Sequence, residues 1–168
     1  MLDFLFQHHI CRGIVPVADA FAGGVSTPVF NLKNYDGIAF LIITGAIEDT
    51  GISNLCKVQA CSDATPSTTV DMPFYRRTLL ASTTVDTWAT LVPTLVAATG
   101  YNFMSNATVA NAIHLAEVSA AMVDQAAAGY TRVRLNVAET ANKTITATVL
   151  PILLRPRFSQ ALPLTAIG

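Results

Sequence analysis

The stretch NLKNYDGIAFLIITGAIEDTGISNLCKVQACS, residues 31–62, reads as two strands joined by a Gly-containing turn. From Gly37 to Gly45 it is apolar at nearly every position. Ile38, Phe40 and Ile42 fall on one face, and Ala39, Leu41 and Ile43 on the other. Side chains alternate across a strand, so a strand apolar on both faces must be covered on both. From Leu55 to Cys61 the pattern alternates: Leu55, Lys57, Gln59 and Cys61 on one side, Cys56, Val58 and Ala60 on the other. The segment predicts a buried hairpin, in a sheet packed first in a sandwich and then against other subunits.

Composition points the same way. The chain has 168 residues, of which 52% are hydrophobic and only 12% charged, against a typical charged share of ~25%. So few charges cover a monomer's surface poorly. The longest apolar runs, 37–47 and 144–154, are strand-length and fall short of the ~20 residues of a spanning helix. No membrane partner is therefore expected. A large subunit interface explains the composition better, because obligate interfaces resemble core and are depleted of charge. A net charge of −1 with scattered basic residues argues against nucleic acid, whose binders cluster Lys and Arg.

Chemistry-bearing residues are sparse. His8, His9 and Cys11 have metal-ligand spacing, but a zinc site recruits a second ligand pair, and His114 in an apolar strand is the one histidine left. Cys56 and Cys61 lie five apart in one strand and face opposite ways, so they do not pair; reduced, buried thiols are expected. There is no phosphate loop, no Gly-x-Ser-x-Gly elbow, and the acids sit mostly in turns. The expectation is a protein that is not an enzyme and takes no cofactor or metal. The N-terminus lacks a basic region ahead of its short apolar run, so no signal peptide is expected.

Along the chain, Leu2, Phe4, Leu5 and Phe6 make an apolar N-terminal arm. Short strands are expected at 15–22 and 26–32, and Pro73 marks an edge or bulge within an extended stretch at 68–80. Trp88 and its Thr-rich surroundings favour strand. Ser119 can cap an Ala-rich helix that ends before Gly129. Tyr130 to Glu139 alternates cleanly, placing Tyr130, Arg132, Arg134 and Asn136 on a polar face. Seven to nine strands with one short helix describe an all-β, single-domain antiparallel β-sandwich or jelly roll. Its expected divisions are an arm at 1–12, the sandwich at 13–155 and a tail at 156–168. Arg and Tyr are enriched where proteins meet proteins, so Tyr75, Arg76, Arg77, Tyr130, Arg132, Arg134, Arg155, Arg157 and Phe158 join the arm as interface candidates.

Several short motifs follow one another along the chain: Val15-Pro-Val-Ala-Asp19, Asn34-Tyr-Asp-Gly37, the Val58-to-Asp63 strand end, Pro73-Phe-Tyr-Arg-Arg77, Gly129-Tyr130 with Val133-Arg134-Leu135, and Arg155-Pro-Arg-Phe158. In these the chain resembles small head-associated structural proteins of tailed bacteriophages and related prophage or gene-transfer particles. The resemblance implies a virion component on the capsid surface, a decoration or cement subunit or the base of a head fibre. It also implies a homo-oligomer, a trimer favoured, bound to the major capsid protein. The Cys- and His-bearing arm and the Thr/Ala-rich middle depart from the pattern and leave the station on the particle open. A neck, tail or fibre-base protein is one alternative. A carbohydrate-binding module using Trp88 and Tyr101 is another.

Overall fold

A computed structural model describes residues 7–47, 54–79, 93–102, 110–139 and 144–157. The strands are β1 (His8–Ile10), β2 (Ile14–Val17), β3 (Val25–Ser26), β4 (Phe30–Asn31), β5 (Tyr35–Ile47), β6 (Asn54–Cys61), β7 (Thr69–Met72), β8 (Phe74–Leu79), β9 (Thr94–Val96), β10 (Tyr101–Asn102), β11 (Ile113–Ser119), β12 (Arg132–Glu139) and β13 (Ile145–Pro156). A helix, α1 (Ala120–Ala126), lies between β11 and β12. All strand pairs among these residues are antiparallel.

Two sheets form a sandwich. The seven-stranded sheet runs β1-β13-β5-β11-β8-β9, with β2 also on β13. The six-stranded sheet runs β10-β6-β12-β3, with β7 on β6 and β4 on β12. The expected hairpin between the two halves of 31–62 is therefore not formed. β5 is taken on one edge by β13 and on the other by β11, which leaves no edge for β6. The chain crosses instead to the opposite sheet, where β6 pairs with β12 and β7. Pro73 makes a second such crossing. It separates β7 in one sheet from β8 in the other, a place where its missing N–H costs no ladder bond.

Between the sheets lies one core. Ile38, Phe40 and Ile42 of β5, Phe30, Met72, Phe74, and Val133, Leu135 and Val137 of β12 are all buried in it. Phe30 and Phe40 come from opposite sheets and meet edge-on, with centroids 6.1 Å apart and planes at 63°; this orientation sets the positive rim of one ring against the negative face of the other. Gly37 lets β11 come close to β5, since a Cβ there would stand 2.5 Å from the Val118 carbonyl oxygen.

The helix starts where the sequence places it. Ser119 is extended (φ −89°, ψ 157°) and its Oγ accepts the Met122 N–H at 3.2 Å, satisfying one of the first-turn donors. Gly129 follows at φ +81°, a conformation glycine adopts without strain. α1 touches strands of both sheets, β5 and β11 on one side and β7 on the other, and buries Val123. It closes an end of the sandwich.

At the N-terminus, residues 8–11 of the expected arm belong to the sheet. β1 pairs with β13, and the Cys11 N–H donates to the Pro151 carbonyl at 2.8 Å. Leu2, Phe4, Leu5 and Phe6 lie outside the described residues, as do Trp88 and Phe158. The strand expected at 15–22 is shorter, at Ile14–Val17; beyond it the chain turns so that Phe21 enters the core. Phe40→Ala should cost about 3–5 kcal/mol in urea unfolding. Leu41→Ala, one residue along on the opposite face, should cost under about 2 kcal/mol.

Candidate interaction face

The two sheets present very different outer faces. On the six-stranded sheet, the register sets Lys57 opposite Asn136, Gln59 opposite both Arg134 and Asp71, and Cys61 opposite Arg132. Lys57 Nζ reaches Asp71 at 2.6 Å, Gln59 Nε2 donates to the same carboxylate at 2.7 Å, and Arg134 Nε donates to Gln59 Oε1 at 2.9 Å. Burial alone would raise the Asp71 carboxyl. The hydrogen bonds from Lys57 and Gln59, with the lysine charge, outweigh it and hold the group below its usual value. This face is a polar ladder in which Lys57, Asp71, Gln59 and Arg134 bond one another within their own sheet, while the buried Arg132 Nε has no hydrogen-bond partner among the described residues.

The outer face of the seven-stranded sheet is apolar. Directly opposed residues on antiparallel strands share a face, and the register gives three rows. The first is Thr148, Ile43, Ile113 and Leu79; the second is Leu150, Leu41, Leu115 and Arg77. The third is Ile10, Ile152, Ala39, Glu117, Tyr75 and Leu95. None of these residues belongs to the core between the sheets or packs against it. Ile10 is 49% exposed, Tyr75 43% and Leu95 57%. Leu41, Ile43, Ile113, Leu115, Leu150 and Ile152 are half-buried. Sheet faces this apolar normally lie against a second layer, and the six-stranded sheet and α1 occupy other sides of this one.

The residues predicted as interface candidates divide between these environments. Tyr75 and Arg77 stand on the apolar face, at its β8 end. Arg76, between them, turns inward by strand alternation and sits 3.8 Å from the centroid of the Tyr101 ring. The guanidinium of Arg76, which is half-buried, covers one face of the aromatic that a carbohydrate platform would use. Arg132 and Arg134 belong to the polar ladder. Tyr130 does not share their face: it precedes β12, after the turn at Gly129, and packs against the core. Arg155 is exposed at φ +45°, a left-handed conformation one residue before the end of β13. Beyond it, Arg157 Nε lies 3.2 Å from Asp36. Sequence reasoning did not select Ile113, Leu115, Leu150 and Ile152; the outward residues of β5, Leu41 and Ile43, carried the signal for them.

Other reactive groups are held quiet. His8 and His9 face opposite sides of β1, and His9 Nδ1 lies 3.1 Å from the Tyr35 hydroxyl. Among the described residues no three His, Cys, Asp or Glu side chains come together to hold a metal, and no helix is long and apolar enough to cross a membrane. Cys11, Cys56 and Cys61 are buried free thiols. Burial pushes Cys56 up to about 12 and Cys61 to about 11, far from the thiolate that reacts. His114 is buried with Nδ1 3.3 Å from Thr78 Oγ1. Burial, then the nearby Arg76 charge, pushes it down to about 4.

No family model matches the chain, and no curated protein matches it. Among solved structures it is similar to a chain in the structure of infectious bursal disease virus, Gx strain, at 12% identity and a TM-score of 0.21. The match covers 89% of this chain and 41% of that one, so this chain spans less than half the other's length. A TM-score that low carries no argument about fold or role.

The buried histidine makes stability pH-dependent. Its folded value of about 4 lies below the ordinary 6.5, so the unfolded chain takes up the proton first. Stability from this group should be full above pH 6.5 and lost progressively as pH falls towards 4. Chemical denaturation across that window should show the slope, and His114→Asn should flatten it.

Proposed function

We propose that this chain is a virion structural protein that binds and stabilises a capsid shell as a decoration or cement protein, with the major capsid protein as its partner. The observation that carries the reading is the contrast between the outer faces: one a hydrogen-bonded polar ladder, the other apolar across the width of a sheet. Monomeric proteins rarely expose a contiguous apolar patch beyond about 300–600 Å². A protein with only 12% charged residues that keeps such a face gains by burying it in an assembly.

A cement protein needs no catalytic step. It acts by adding contacts across subunit joints, and many weak contacts on one shell add up to a large gain in stability. The inert thiols, the neutral buried histidine and the phage-head resemblance all favour this role over an active site. The inward-turned Arg76 over Tyr101 disfavours the carbohydrate-binding alternative. A neck, tail or fibre-base position uses the same adhesive physics and differs only in location.

The test is addition of purified protein to shells lacking it. Co-sedimentation at a fixed ratio to the coat subunit, with a raised shell melting temperature, is expected. Absence of binding would reject the cement role, and density confined to the neck or tail in electron micrographs would replace it with the alternative location.

A further inference from the structure

We infer that the apolar outer face of the seven-stranded sheet is covered by the same face of a second copy of this chain, related by a two-fold axis. The inference rests on reading that face as an assembly surface, and it commits to the first partner placed there. Three observations select a second copy.

The first is size. The face is seven residues long on β11 and six on β8, but only three at its β1 and β9 edges. With β13 and β5 taken over the same length as β11, ~4.8 Å per strand and ~3.3 Å per residue give roughly 520 Å². A standard interface takes ~800 Å² from each partner, so one copy of the face supplies about two-thirds of its half.

The second is charge. Arg77 and Glu117 lie on this face on adjacent strands, diagonal to each other. Neither has an ion-pair partner among the described residues. The pair makes the face neutral and self-complementary: an in-plane two-fold axis running between them sets each guanidinium against the partner's carboxylate. Two-fold association uses one patch twice in this way.

The third is the state of the sheet edges. Among the described residues every edge strand is short: β1 and β9 have three residues, β2 and β7 four, and β3, β4 and β10 two. Short, interrupted edges block strand-to-strand growth, which leaves the face as the surface for self-association. Two sheets meeting there at ~10 Å would bury Leu41 and its neighbours as a second core.

Sedimentation analysis of the isolated full chain across the micromolar range tests this, without any shell present. The wild type should sediment as a dimer. Leu41→Glu, which buries an unpaired carboxylate twice, should weaken association more than about 100-fold, while Asn136→Glu on the polar face should leave it unchanged. Arg77→Glu and Glu117→Arg should each weaken it about tenfold, and the double reversal should restore it. These two residues are on the surface, so their variants remain informative if Leu41→Glu fails to fold. A wild-type monomer, a trimer, a dimer indifferent to Leu41→Glu, or a double reversal no better than the single changes would each overturn the pairing. A monomer that still bound shells would overturn it while leaving the cement role standing; a dimer that ignored shells would do the reverse.

Discussion

Most of the structure depends on how β5 is held. Its backbone is paired along both edges, to β13 and to β11, so its side chains have only the two faces of the sheet to occupy. Ile38, Phe40 and Ile42 take the inner face and organise the core around the Phe30–Phe40 contact between the sheets. Ala39, Leu41 and Ile43 take the outer face by the same alternation. Because the flanking strands are apolar at the opposed positions, the second face is as continuous as the first. One pairing thus creates both the interior of the monomer and the surface on which an assembly can be built.

The rest of the molecule restrains where association happens. The six-stranded sheet turns its polar side outward and links Asp71, Gln59, Lys57 and Arg134 there in hydrogen bonds within the sheet. Its hydrogen bonds leave little for a partner to gain beyond what water already supplies. Broken, two- to four-residue edge strands keep backbone donors and acceptors from templating open-ended growth. The three cysteines are placed where burial suppresses the thiolate. Each feature removes a competing mode of interaction and leaves the apolar face as the dominant one.

Much of this was legible in the residue pattern. The alternation of Val133, Leu135 and Val137 with Arg132, Arg134 and Asn136 gave β12 and its faces correctly, because a half-buried strand writes its environment directly into its period. Ser119 and Gly129 bracketed the helix, because capping is local chemistry. The hairpin expectation failed at residues 31–62 because sequence adjacency is a poor guide when both edges of a strand are claimed by distant partners. The placement of Arg76 was not legible for a related reason. Alternation puts it on the side of Phe74 and Thr78, and its position over the Tyr101 ring depends on a strand of the other sheet.

The sequence alone determined that the chain is an all-β sandwich, short of charge and carrying one strand apolar on both sides, since these follow from composition and local periodicity. Only the tertiary structure decided which strands lie beside β5, and hence that Ile113, Leu115, Leu150 and Ile152 extend its outward residues into a continuous face. Register between strands far apart in the sequence, as between Leu41 and Leu150 or Ile10 and Ile152, is set by long-range pairing and core packing, and no local pattern encodes it.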